Sequence, residues 1–189
     1  MMTGMSLGHN FDSVLGAAKL GADWAWSSLY GEIAGPVMGF FRCRGVADPE
    51  EAAGDVFFEL ARGLTDFEGD EESFRTFVFA LAYRRLLVEN HYSTRRSRTA
   101  LADLVLDRLR ADVEAMSVVV DTTEIPSDVR RAFEMLTPDQ RDVLTLRIVA
   151  GLSVEQVAEV LSRGVKAVRD LQRRGMGRVR GQVDEAVLV

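Results

Sequence analysis

Residues 151–180 read GLSVEQVAEVLSRGVKAVRDLQRRGMGRVR. Ser153 to Gln156, SVEQ, is a capping box: the serine hydroxyl accepts from the backbone N–H three residues on, and the glutamine side chain returns the bond. Val157, Ala158 and Leu161 then recur on one helical face. SRG at 162–164 makes a tight turn, and another helix starts near Val165. Just upstream, Thr137 to Gln140, TPDQ, is a second box with Pro138 at the first helical position, opening a helix through Val149 that Gly151 closes. Three successive helices with so short a turn between the last two match a helix-turn-helix.

The last of these helices has two unlike sides. At about 100° per residue, Val168, Leu171, Gly175 and Val179 share a packing face. Lys166, Arg169, Arg173 and Arg180 fall within an arc of about 60° on the opposite side, flanked by Arg174 and Arg178. A solvated charged face is the bland account of such a row. Two observations favour DNA instead: acidic partners for i,i+4 pairing are nearly absent, and the helix is the second member of a helix-turn-helix. Arginine and lysine there meet phosphates and guanine edges in the major groove.

Working outward, the same pattern holds. Helical periods are expected from Asp12 to Phe41, interrupted at the Gly35-Pro36-Val37-Met38-Gly39 stretch, from Asp48 to Gly63 and from Ser73 to Tyr92. No run alternates apolar and polar residues as a half-buried strand does. The expected fold is all-α, with two small helical domains: a disordered N-terminus over 1–10, a first domain over 11–96, an acidic linker over 97–126 and a second domain over 127–189. The linker holds one apolar patch, Ser117 to Val120, a candidate for burial against a partner or between domains.

The chain has 189 residues, 47% hydrophobic and 28% charged, enough for one moderate core or two small ones. Its start, MMTGMSLGHN, lacks the basic and apolar stretches of a signal peptide, and no run approaches the roughly 20 apolar residues of a membrane span, so a cytoplasmic protein without membrane insertion is expected. Cys43 is the only cysteine and is expected to be a small buried group; with only His9 and His91 beside it, no metal site or cofactor is expected. The net charge of −6 hides a sorting by position. From Asp48 to Glu72 ten carboxylates face a single base, Arg62, whereas from Arg163 to Arg180 seven bases face only Asp170. Local patches can therefore bind what the whole chain repels. No nucleophile with a base, metal cluster or phosphate loop is present, which speaks against an enzyme.

Residues 136–174, LTPDQRDVLTLRIVAGLSVEQVAEVLSRGVKAVRDLQRR, resemble region 4 of the sigma-70 family, and residues 47–98 resemble region 2 of its extracytoplasmic-function (ECF) branch. The resemblance implies a sigma factor: a subunit with no catalysis of its own that directs core RNA polymerase to promoter DNA and assists promoter opening. The family's DxxQExF segment, which docks on the clamp helices of the polymerase's largest subunit, falls on Glu51, Gly54, Asp55 and Phe57, with Phe58 beside them. Gly54 stands where the family has Gln. The minus-ten loop falls on FEGDEESF, so Phe67, Glu68, Gly69, Asp70 and Phe74 are implied there, with Tyr83, Arg84 and Arg85 on the following helix. Phe74, Phe77, Leu81 and Val88 form that helix's core stripe; Phe79, Tyr83, Leu86 and Asn90 form a second stripe, for stacking unpaired bases or for packing. Arg84 and Val88 replace a family Asn and Asp, so those base contacts do not transfer.

Minus-thirty-five contacts are implied for Lys166, Ala167, Arg169, Asp170, Arg173 and Arg174, while Gly175 and Gly177 are expected to weaken the helix end. The resemblance also implies an anti-sigma factor as a partner. Two other functions fit the residues: a stand-alone helix-turn-helix regulator, and a degenerate sigma-like protein acting through protein contacts, which Gly54, Arg84 and Val88 favour.

Overall fold

The computed structural model describes residues 8–96, 133 and 135–187, so the expected linker and its Ser117–Val120 patch lie outside the described residues. After a 3-10 turn at Gly8–Asn10 come α1 (Phe11–Lys19), α2 (Asp23–Cys43), α3 (Pro49–Gly63) and α4 (Glu71–Arg96), then α5 (Pro138–Ile148), α6 (Val154–Val160) and α7 (Val165–Val187). The protein is all-α.

Local sequence sets most helix ends. Both capping boxes form: Thr137 with Gln140 opens α5 and Ser153 with Gln156 opens α6. Asp48 accepts from the Glu51 amide at 2.8 Å with Pro49 in the first turn of α3. Asp70 accepts from the Ser73 amide at 2.8 Å at the start of α4.

The N-terminal helical run breaks at a different place from the one expected. It breaks at Gly21, whose φ of +81° lets its own N–H reach the Ala18 carbonyl and that of Ala22 reach the Ala17 carbonyl. This pair of bonds satisfies the last carbonyls of α1. The glycine-proline stretch instead runs inside α2. Pro36 has no N–H to give the Glu32 carbonyl, but Leu29, Ile33, Val37, Phe40 and Phe41 are all buried on the same helix, and tertiary packing overrides the local penalty. Gly39 serves that packing: a Cβ there would lie 3.1 Å from Val149 Cγ1.

Two further expectations need correction. Val88 is exposed, because by that point α4 has turned its fourth stripe position away from the core, while Phe74 and Leu81 are buried as expected. Cys43 is only half-buried; what burial it has raises its thiol pKa, against the opposing charge of Arg44.

The buried side chains of α1 to α4 and of α5 to α7 belong to one continuous cluster, running from Phe11 through Phe40, Phe41 and Phe79 to Val143, Leu146, Val157 and Val168. Phe79 and Leu86 of the second stripe of α4 are part of it, both at 1% exposure, and Tyr83 packs against it. Among the described residues no helix is long and apolar enough to cross a membrane.

Candidate nucleic-acid and polymerase interfaces

The helix-turn-helix is built from α6 and α7. Its turn closes with Ser162 at φ +50°, so that the Ser162 N–H reaches the Glu159 carbonyl and the Arg163 N–H reaches the Ala158 carbonyl. This is the helix-ending geometry that glycine usually supplies, here adopted by a serine. Val168 is fully buried, and Gly175 is buried close against α5, where a Cβ would lie 3.0 Å from Leu144 Cδ1. α7 continues past Gly175 to Val187, and the missing side chain at 175 lets α7 approach α5 closely.

Of the expected minus-thirty-five residues, Lys166, Ala167, Arg169, Arg173 and Arg174 are exposed together on the far side of α7, and Asp170 is half-buried among them. Arg169 Nη2 lies 3.0 Å from Glu155 Oε1 on α6, and Arg173 Nη2 lies 3.4 Å from Asp170 Oδ1. These are surface pairs, with side chains 45% to 77% exposed, and such pairs are weak enough to exchange for phosphate or base. Arg178 donates to Gln140 Oε1 at 2.8 Å and Arg163 pairs with Asp139, so the flanks of the row are tied back to α5.

On α3, Glu51, Gly54, Asp55 and Phe58 are exposed, Phe58 at 65%, with the Arg62 guanidinium 5.8 Å from its ring centre. Phe57 is half-buried, its ring 4.6 Å from that of Tyr30 on α2. A Cβ at Gly54 would meet open space, so nothing in the packing demands glycine there.

The loop between α3 and α4 has its own internal logic. Phe67 stacks on Phe77 at 5.5 Å and meets Phe74 edge-on at 5.7 Å, and its carbonyl accepts from Lys19 Nζ. Phe74 is 3% exposed between Phe11 and Phe67, so it supports the loop from below. A Cβ at Gly69, where φ is +153°, would lie 2.8 Å from Ser73 Cβ. The hydrogen bonds from Ser73 hold the Asp70 carboxyl below the usual carboxylate range. Gly69 and Asp70 thus build the loop and cap α4, roles that sequence reasoning missed although an Asp three residues before a helical Ser is a legible cap. Glu68 is exposed.

Arg84 and Arg85 of α4 are turned toward α3. Arg85 Nε lies 2.7 Å from Asp55 Oδ2 and its Nη1 lies 2.7 Å from Glu89 Oε2, while Arg84 pairs with Glu59. Tyr83 points elsewhere: its hydroxyl donates to Asp142 Oδ2 on α5 at 3.2 Å. Asp142 Oδ1 in turn lies 2.7 Å from Nη2 of Arg44, the residue that caps the end of α2, with the two side chains 11% and 7% exposed. Burial raises the Asp142 pKa against the pull of Arg44 and lowers that of Arg44 itself. Burial first, then the Asp142 charge, push Tyr83 up to about 12. This cluster was not anticipated, although a carboxylate between buried Gln140 and Val143 in α5 was its available signal.

The arrangement is that of a helix-turn-helix DNA-binding protein joined to a four-helix unit with an acidic face on α3. The family described as Sigma-70, region 4 matches residues 127–179. The RNA polymerase sigma-H factor of Pseudomonas aeruginosa is 30% identical over 155 residues, 76% of this chain and 77% of that protein. The ECF RNA polymerase sigma factor SigD of Mycobacterium tuberculosis is 24% identical over 182 residues, 93% of this chain and 85% of SigD. Among solved structures, CnrH in complex with the cytosolic domain of CnrY superposes with a TM-score of 0.63 at 20% identity, covering 93% of this chain and 97% of CnrH. The sigma factor RpoE in complex with the anti-sigma factor NepR, from Bartonella quintana, gives 0.59 at 16% identity, covering 84% and 96%. The chain belongs to the sigma-70 family of RNA polymerase sigma factors, in its extracytoplasmic-function branch. It is a transcription initiation factor.

Proposed function

We propose that this sigma factor divides its work between two units. The first, residues 11–96, docks on the clamp helices of the polymerase's largest subunit through Glu51, Gly54, Asp55, Phe57 and Phe58, and presents the loop Phe67 to Phe74 with Tyr83, Arg84 and Arg85 to the opened minus-ten strand. The second, residues 127–189, lays α7 in the major groove at minus thirty-five, with Lys166, Ala167, Arg169, Asp170, Arg173 and Arg174 toward the DNA. Segment 97–126 links them, and an anti-sigma factor is a further partner. The observation that supports this most directly is the exposed basic row of α7 opposite its buried Val168 and Gly175. Exposed Phe58 beside exposed carboxylates gives α3 an apolar anchor with an acidic rim, suited to a basic docking surface.

The overall negative charge fits the same reading. The acidic first unit opposes nonspecific binding by α7, so DNA is engaged chiefly within the holoenzyme. The test is runoff transcription on a genomic fragment library with bacterial core polymerase, with and without this protein. New transcript starts sharing upstream motifs at a fixed spacing are expected. Polymerase binding without new starts would indicate the degenerate interaction protein; no polymerase binding would indicate a stand-alone regulator.

A further inference from the structure

Arg169 sits in the middle of the basic row of α7, with Lys166 three residues before it and Arg173 four residues after it on the same face. Like charges at those spacings repel, so Arg169 is driven toward any carboxylate within reach. The one acid between Arg163 and Arg180 is Asp170, and it faces Arg173 at 3.4 Å. The acid that Arg169 meets comes instead from the other helix of the helix-turn-helix: Glu155 Oε1 on α6 lies 3.0 Å from Arg169 Nη2. Lys166, Arg174 and Arg180 make no ion pair among the described residues, and Arg174 Nε donates only to the neutral Asp170 carbonyl. The row therefore holds two kinds of base.

Pairing changes what an arginine can recognise. A guanidinium carries five N–H donors, and Glu155 occupies one of the two on Nη2. Whichever of the two it uses, one parallel pair of donors is left free, enough for the O6 and N7 acceptors of a guanine edge, which is uncharged. A phosphate instead rewards net charge, through the counterions its neutralisation releases, and a guanidinium already neutralised by a carboxylate releases fewer. At 61% and 65% exposure Glu155 and Arg169 attract each other only weakly, but they stay neighbours whatever Arg169 touches. The Ser153–Gln156 capping box holds the backbone of Glu155, and the buried Val168 beside Arg169 holds that of α7.

We propose that Glu155 is a specificity-determining residue of the minus-thirty-five interface: by cancelling the charge of Arg169 while leaving its donors free, it makes Arg169 a reader of a guanine edge and leaves the phosphates to Lys166, Arg174 and Arg180. This rests on the placing of α7 in the major groove. An acid in the first turn of α6 also stabilises that helix end, so stability does not separate the two roles of Glu155, whereas base preference does.

The test is selection of random-sequence duplexes by the full chain bound to bacterial core polymerase, followed by sequencing and by titration of the most enriched duplex at several salt concentrations. Arg169→Ala is expected to flatten the preference at one base pair about tenfold and to leave the salt dependence unchanged. Lys166→Ala is expected to keep every base preference and to lower the salt slope by about one. Glu155→Gln keeps an acceptor oxygen but removes the charge; it is expected to cut discrimination at the Arg169 base pair about fivefold and to steepen the salt slope by about one. Glu159→Gln removes the same charge four residues along the same exposed side of α6, where no ion pair is made among the described residues, and is expected to leave that base pair unaffected. In an Arg169→Ala background, Glu155→Gln is expected to change no preference further. Equal responses to Glu155→Gln and Glu159→Gln, or an effect of Glu155→Gln that persists without Arg169, overturn the role of Glu155 while α7 stays on the DNA. No sequence enriched beyond those taken by core polymerase alone, or enrichment indifferent to both Arg169→Ala and Lys166→Ala, overturns the placing of α7 in the groove and this proposal with it.

Discussion

On α4, Arg85 keeps 20% of its side-chain surface and is clasped by Asp55 and Glu89; on α7, Arg173 keeps 77% and has only Asp170, one turn away, at 3.4 Å. Both helices are rich in arginine, and both lie in units expected to meet DNA. The difference comes from the neighbouring helix. α4 lies against α3, which carries Glu50, Glu51, Asp55 and Glu59, whereas α7 lies against α5 and α6, whose acids reach only Arg163 and Arg169. Among the described residues Lys166, Arg174 and Arg180 make no ion pair. A row of bases is thus available to DNA only where the adjoining element does not already neutralise it.

The contrast is broken most decisively by substitution on the two helices. Lys166→Ala, Arg169→Ala and Arg173→Ala together are expected to weaken holoenzyme binding to minus-thirty-five duplex about 100-fold or more, since each base or phosphate contact is worth about 1–3 kcal/mol. Arg84→Ala with Arg85→Ala is expected to leave duplex affinity within about threefold, in keeping with ion pairs that tie these two arginines to α3. Fluorescence anisotropy at several salt concentrations measures both. Equal losses from the two sets would end the distinction.

The glycines of α7 sharpen it at the level of packing. Gly175→Val forces a branched side chain against fully buried Leu144 and is expected to cost about 1–3 kcal/mol. Gly177→Ala, where a Cβ meets open space, is expected to gain up to about 1 kcal/mol from helix propensity. Urea denaturation of the two variants should shift in opposite directions. A smaller effect is expected in the turn that positions α7: Ser162→Gly relieves a left-handed backbone and should stabilise by less than about 1 kcal/mol, visible as a small rise in Tm.

The smallest effect lies on α4. Burial and the neighbouring Asp142 charge push the Tyr83 phenol from 10.0 up to about 12, so its contribution to stability is complete below pH 10 and lost as pH rises toward 12. Absorbance titration of the phenolate should show Tyr83 titrating late, moved toward its ordinary value by Asp142→Asn because that change removes the carboxylate beside it.

Much of this molecule was legible before any fold was in hand. TPDQ and SVEQ announced the starts of α5 and α6, and the 3.6-residue period of Val168, Leu171, Gly175 and Val179 placed the bases of α7 on the open side. The residues of α3 expected to dock on polymerase also lie on an exposed face, with Phe57 the half-buried exception. What escaped was of another kind. Gly21 ends a helix while Gly35 and Gly39 lie inside one, kept there by the packing of α2. Val88, expected in the core, is exposed, while Phe74, placed by the sequence both in the core stripe and in the minus-ten loop, is buried beneath that loop.

The sequence by itself determined the helices, their caps and the sidedness of α7, because those follow from hydrogen bonds and periodicities that close within one or two turns of chain. Tertiary structure alone decided which arginines are neutralised, which glycines are spaces for a neighbour, and that Arg44, Tyr83 and Asp142 meet. Each of these depends on a side chain delivered from a distant segment, and burial makes the consequences large: a charge that costs little in water must find its partner once the two halves close over it.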